Sequence, residues 1–233
     1  MIAHWSARYL KHRTSKEKEL VMPDFSLIAI TETLISGEER ELIELVKNAL
    51  DQGISAKVIL DKALIQGMDV VGERMETGEM FIPEVLRSAK IMSGAVEILK
   101  PFLSEKDMST TGKVVIGTVK GDLHDIGKNL VVMMLESAGF EVYNLGVDIS
   151  PETFVSAIKE KGADILGLSA LLTTTMNMMK VTIDVVKESG LRRRVKIMIG
   201  GAPVNQEFAD KIDADGYAPD AGSATRLAKT LVG

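Results

Sequence analysis

The sequence predicts an α/β protein with an all-α cap. An antiparallel four-helix bundle comes first, and a five-stranded parallel sheet of flavodoxin-like, Rossmann-type order 2-1-3-4-5 follows it. Three observations carry this. Apolar residues between 24 and 104 recur at helical spacing in four blocks. Beyond residue 112 the pattern becomes short Val- and Ile-rich runs that alternate with amphipathic stretches. A polar, Gly-terminated segment, EKDMSTTG at 105–112, separates the two regimes and reads as a linker.

In the first regime, Leu27, Ile28, Ile30, Leu34 and Ile35 form one stripe. Leu42, Ile43, Leu45, Val46 and Leu50 form the next, closed by Gly53. A third helix starts at Ser55, a suitable N-cap, and runs through Val58, Leu64, Met68 and Val71 to Gly78. A fourth starts near Pro83, in keeping with proline in a first helical turn, and ends near Leu103. Met68 and Met92 read as bundle core, where methionine is a common gap filler. The chain thus divides into a tail or leader at 1–23, a helical cap at 24–104, the linker, and a sheet domain at 113–233.

In the second regime, KVVIGTV at 113–119 is apolar on both faces, as a buried parallel strand should be. Helix 126–138, strand FEVYNLG and helix 151–161 follow, then strand ADILGLS, helix 175–189 and strand VKIMIGG. Helix 204–212, a short strand at Gly216–Tyr217 and helix 223–231 complete the alternation. In the order 2-1-3-4-5, ligands bind beyond the carboxyl ends of strands 1 and 3, where the winding direction reverses. That selects the loops 120–127 and 169–175.

Composition narrows the function. The chain has 233 residues, 45% apolar and 26% charged, which suits a globular protein. A net charge of −5 provides no field to recruit nucleic acid or an anionic membrane, and 4% aromatics offers few stacking platforms. The absence of cysteine excludes disulfides, zinc–thiolate sites and cysteine nucleophiles, and fits a reducing cytoplasm. No apolar run approaches the ~20 residues of a membrane span, and the first residues lack the apolar core of an export signal. Residues 1–21 hold the only tryptophan, two of the three histidines and five Lys/Arg against two Glu, so they read either as a tail or as a docking arm.

The first selected loop is Lys120-Gly121-Asp122-Leu123-His124-Asp125-Ile126-Gly127, and the second is Ser169-Ala170-Leu171-Leu172-Thr173-Thr174-Thr175. His124 either caps the following helix or ligates a metal through one ring nitrogen. In the second case its other nitrogen needs a partner to fix the tautomer, and Asp122 is two residues away. Gly121 and Gly127 allow a sharp turn or close approach to a large planar ligand.

KGDLHDIGKN, GLSALLTT and IGGAPV resemble the corrinoid-binding proteins of methyltransferase systems and the cobalamin module of methionine synthase. Residues 67–92 resemble the helical cap of that family, and the likeness spans roughly 24–232 in the expected order. The resemblance implies a cobalamin or related corrinoid bound base-off, with His124 as the lower axial cobalt ligand and Asp122 hydrogen-bonded to it. Thr175 stands where methionine synthase has the serine that completes this relay. The matched stretch makes Gly121, Leu123, Asp125, Ile126 and Gly127 cofactor-binding as well. Ser169 and Leu171 line the channel for the nucleotide tail, Thr173 contacts the tail, Gly200 and Gly201 leave room for it, and Ala221 lies near it. Met75, Ile82 and Val85 shield the upper cobalt face, with Met75 replacing a phenylalanine. Asp61 aligns with a glutamate contact and is one methylene shorter.

The function so implied is that of a carrier. Cobalt(I) accepts a methyl group from a methylated one-carbon substrate through a substrate-specific methyltransferase. Methyl-cobalt(III) then donates it to a second methyltransferase that serves tetrahydrofolate or coenzyme M. Methanol, methylamines, betaines and methoxylated aromatics are the implied donors, and a reductive activase is a further implied partner. The chain lacks a substrate barrel, a zinc–thiolate site and a folate domain, so it reads as a carrier subunit that is not catalytic alone. The alternatives are the cobalamin subunit of a mutase, a cobalamin-dependent regulator, and a flavodoxin-like domain with no corrinoid. The cap argues against the first. The second needs a DNA-binding domain that 21 N-terminal residues cannot supply. The third would favour a glycine-rich phosphate loop where His124 stands.

Overall fold

The structure, a computed structural model, describes residues 15–103 and 110–233, with side chains described from residue 26. Residues 1–14 and 104–109, which include most of the expected tail and linker, lie outside the described residues. The bundle comprises α1 (Ser15–Ser36), α2 (Glu39–Asp51), a third helical rod and α5 (Ile82–Leu99). The rod is α3 (Ala56–Ile59), a π-helical turn (Leu60–Ile65) and α4 (Gln66–Glu76) in succession. Two details differ from the sequence expectation. Helix α1 already includes Ser15, ahead of the first apolar stripe, because the run KEKEL is rich in good helix formers without carrying an apolar stripe. The π-helical turn interrupts what the apolar spacing predicts as one α-helix. It inserts a residue while Ile59, Ala63, Leu64, Met68 and Val71 all stay buried.

Caps set the helix entries. Ser55 Oγ accepts from Val58 N at 3.3 Å. At α5, the Phe81 N–H donates to Glu84 Oε2 at 2.9 Å, the reciprocal half of a capping box.

The sheet contains β1 (Lys113–Thr118), β2 (Glu141–Asn144), β3 (Ile165–Ser169), β4 (Lys196–Gly200) and β5 (Gly216–Ala218). Its order is β2-β1-β3-β4-β5 with every pairing parallel, as expected. Helices α6 (Ile126–Ser137), α7 (Pro151–Lys161), α8 (Asn177–Glu188), α9 (Gln206–Ile212) and α10 (Ala221–Val232) connect and follow the strands. The two-residue strand period sorts the core. Val114 and Ile116 pack with Leu135 and Ala228, whereas Val115 between them packs with Phe154 and Ile183 on the opposite face.

The bundle core is built on Ile30, Leu42, Val46, Leu64, Val85 and Leu99, and Leu130 and Met134 of α6 and Ala221 of α10 join it. Met68 and Met92 are buried there, as expected. The bundle therefore sits on the α6/α10 side of the sheet. At the seam, a Cβ added to Gly222 of α10 would lie 2.3 Å from the Gly72 carbonyl oxygen of α4. The two helices touch backbone to backbone, flanked by the ion pairs Asp69–Lys229 and Glu76–Arg226. Among the described residues, no helix is long and apolar enough to cross a membrane.

Candidate functional site

The strand order makes β1 and β3 neighbours, so the loops that follow them meet. Val119 N donates to Ser169 O at 3.0 Å. Buried Thr118 at the end of β1 donates its hydroxyl to the His124 carbonyl at 2.8 Å and so pins the loop apex. The other side of the loop is held by Asp148, which adopts a left-handed φ of 56°. Asp148 accepts from Gly121 N at 2.8 Å and pairs with Lys120 at 3.2 Å, and its own N–H donates to Asp122 O at 3.0 Å. The Gly121 N–H and Lys120 hold the Asp148 carboxyl below the usual carboxylate range.

Asp122 is the node between the loops, with none of its surface exposed. Its Oδ1 accepts from His124 Nδ1 at 2.7 Å and from His124 N at 3.1 Å. Its Oδ2 accepts from Leu171 N at 2.8 Å, Leu172 N at 3.2 Å and Thr175 Oγ1 at 2.7 Å. Burial pushes this carboxyl up. The hydrogen bonds from Thr175, His124 and the Leu171 N–H outweigh it and hold the group well below the usual carboxylate range. An ionised carboxylate only accepts, so His124 Nδ1 must carry a proton and donate it. In the neutral ring Nε2 then holds a lone pair, and it has no hydrogen-bond partner among the described residues. The His124 side chain is 51% exposed in front of this buried carboxylate. The methyl group of Thr175 sits beside Gly121, where an added Cβ would lie 3.7 Å from Cγ2.

His124 opens on a cavity of about 570 Å³ between the sheet and the bundle. Its walls include Met75 and Ile82 from the bundle side, and Leu123, Asp125, Ile126, Gly127, Ser169, Leu171, Gly200, Gly201 and Ala221 from the sheet side. These expected residues are therefore brought together. Asp122 and Thr175 stand behind the histidine rather than on the wall. Gly121 and Thr173 are exposed and do not line the cavity. Val85 is wholly buried in the bundle core and does not reach the wall, because its face of α5 points at α1–α4. Asp61 lies in the π-helical turn, paired with Lys57 at 3.1 Å, and it too is absent from the wall. Gly201 has a local reason to be glycine, since a Cβ there would lie 1.8 Å from the Ala170 carbonyl oxygen. Thr118, Asp148 and the cavity-lining Lys128 are not in the sequence-derived set. A run such as KGDLHDIGKN marks the loop but does not tell which of its polar groups are buried.

A macrocyclic metal chelate fits these residues. Gly127 lines the cavity and a Cβ there would meet nothing within 4 Å, so the missing side chain leaves open space in the wall. Among the described residues, no three His, Cys, Asp or Glu side chains come together to hold a bare metal ion. A metal held by His124 alone must bring its remaining ligands with it.

Two family models described as B12 binding domains match the chain, one over residues 29–100 and one over 112–226. A corrinoid protein of Desulfitobacterium hafniense is 43% identical over 88% of this chain and 96% of its own length. The dimethylamine corrinoid protein of Methanosarcina barkeri is 43% identical over 87% of this chain and 95% of its own. A chain of the methanol:cobalamin methyltransferase complex of Methanosarcina barkeri superposes with a TM-score of 0.78 at 30% identity, covering 98% of this chain and 88% of that one. With a helical cap and a parallel sheet that each match a B12 binding domain, this chain belongs to the corrinoid-binding proteins of methyltransferase systems.

Proposed function

We propose that the chain is a methyl carrier that binds a corrinoid base-off, with His124 Nε2 as the lower axial ligand. The observation that supports this best is the anchoring of Nδ1 on a fully buried carboxylate at 2.7 Å, which leaves Nε2 free at the cavity wall. The corrinoid, when bound, supplies a cobalt centre that takes up and hands on a methyl group. The protein's part is to hold and orient. Asp122 fixes the tautomer of His124, and Thr175 together with the Leu171 and Leu172 N–H groups keeps Asp122 ionised. Met75 and Ile82 present apolar surface on the bundle side and exclude water.

In this reading the chain receives its methyl group from a substrate-specific methyltransferase and passes it to a second one that serves tetrahydrofolate or coenzyme M. A reductive activase restores the low-valent metal, and the system is cytoplasmic. A methylated amine is the favoured donor, since among superposed structures the monomethylamine corrinoid protein of Methanosarcina barkeri is 39% identical and the chain of the methanol complex 30%.

The test is reconstitution with hydroxocobalamin, desalting and a visible absorption spectrum, for the wild type and His124→Ala. The wild type should retain corrinoid, and the variant should retain it through contacts other than His124 with an altered spectrum. A folded wild type that retains none overturns the carrier reading. Identical spectra overturn the ligand assignment.

A further inference from the structure

Among the described residues two charged side chains are buried, Asp122 and Lys128, and only the first has a place in the methyl-carrier reading. Lys128 is 4% exposed and lines the cavity four residues after His124. Its Nζ donates to Asn129 Oδ1 and to Asn144 Oδ1, each at 2.7 Å, which uses two of its three donors. Both acceptors are neutral. Asp125 reaches the ammonium only through Asn129, whose Nδ2 donates to Asp125 Oδ2 at 2.9 Å. Burial pushes the lysine pKa down and the Asp125 charge pushes it back up. Asn144 is fixed in turn by Gly146 N, which donates to its Oδ1 at 3.1 Å, and its Nδ2 donates to Asn129 Oδ1 at 3.2 Å.

A buried cation solvated by amide oxygens, with no carboxylate in direct contact, is costly compared with an apolar side chain of the same length. Its field is also poorly screened there and acts on whatever occupies the cavity. A metal centre changes its charge by one with each electron, so a nearby fixed cation favours the state of lower charge. We propose that Lys128 is a fixed positive charge in the cavity wall that shifts the balance of the bound cobalt from Co(II) toward Co(I). The inference rests on the corrinoid reading above. The step is the uptake of one electron by Co(II), delivered by a low-potential one-electron donor, with no bond to Lys128 made or broken and no proton moved. The asparagine cluster has the role of holding the ammonium in place without neutralising it.

The experiment is a spectroelectrochemical titration of the Co(II)/Co(I) couple in hydroxocobalamin-loaded protein, with retained corrinoid per chain measured beside it. Wild type, Lys128→Met and Asn144→Asp are compared. The methionine removes the charge and keeps most of the stem. The aspartate sets a carboxylate against the ammonium at nearly constant size, and if Lys128→Met does not fold, Lys128→Gln, which removes the same charge and keeps a polar end for the asparagines, takes its place. Each variant should lower the Co(I):Co(II) ratio roughly tenfold at a fixed ambient potential, a shift of about 59 mV to more negative values for one electron. Corrinoid-loaded variants that titrate at the wild-type potential overturn the proposal and leave the carrier reading intact. Loss of corrinoid from Lys128→Met, with Asn144→Asp at the wild-type potential, also overturns it, since Lys128 is then a binding contact only. A folded wild type that holds no corrinoid sinks the carrier reading, and the proposal with it.

Discussion

Replacing Asp122 with asparagine removes one buried charge and turns one acceptor oxygen into a donor. The structure gives the consequence for either amide orientation. With the NH2 in the Oδ2 position, the Leu171 and Leu172 N–H groups face a donor, and only the Thr175 hydroxyl can turn away, to Leu172 O at 2.9 Å. With the NH2 in the Oδ1 position, one backbone donor, His124 N, is orphaned, and Nδ1 must become an acceptor. The second arrangement is the less costly. The His124 N–H is only part-buried, so orphaning it costs toward the lower end of about 1–3 kcal/mol, and the remaining bonds lose their charge assistance. A total loss of about 2–3 kcal/mol is expected. The same orientation favours the imidazole proton on Nε2, so ligation through that nitrogen first costs the bond that Nδ1 accepts. Because folding depresses the Asp122 pKa, the ionised carboxylate contributes its full stability above its unfolded pKa of roughly 4, and loses it as pH falls below. The part of the gap that Asp122 ionisation supplies should narrow as pH falls below about 4. Urea unfolding of the ligand-free proteins as a function of pH measures the gap, and the spectrum of the corrinoid-loaded variant reports the tautomer. A cost under about 1 kcal/mol, a gap unchanged in acid, or a spectrum like the wild type's would each refute this reasoning.

Gly127→Leu places a side chain in open space at the cavity wall. It should raise the stability of the ligand-free protein by about 0.5–1 kcal/mol through helix propensity, and equilibrium dialysis should show corrinoid affinity falling at least tenfold. Gly222→Val drives a Cβ into the Gly72 carbonyl oxygen, 2.3 Å away. Thermal unfolding should show a loss of at least about 2 kcal/mol from the clash, and Lys229→Ala, which removes only an exposed ion pair at the same seam, should cost about 0–1 kcal/mol.

The path from sequence to site ran through topology. Val-Val-Ile at 114–116 and Ile-Leu at 165–166 read as buried strands because both faces are covered, and the sheet order then pointed to the two loops that Asp122 joins. Other features had no local trace. The π-helical turn changes the hydrogen-bond ladder and not the apolar pattern, so spacing cannot show it. Val85 sits in an apolar stripe whether that stripe faces the bundle or the cavity. Lys128 occupies a position in α6 where an amphipathic reading expects solvent, and its burial depends on Asn144 of β2, sixteen residues away. The roles of Thr118 and Asp148 rest on their reach to the His124 carbonyl and to Gly121, contacts that exist only once the sheet has formed.

The bridge from Asp122 to the backbone of the β3 loop also bears on the thermodynamics of loading. Because Leu171, Leu172 and Thr175 tie the two loops together through protein atoms alone, the histidine is aimed before any ligand arrives. The site is preorganised, and the binding of a large ligand then spends little of its free energy on ordering the protein. Hydrogen exchange in this loop pair should therefore be slow in the empty protein and change little on loading.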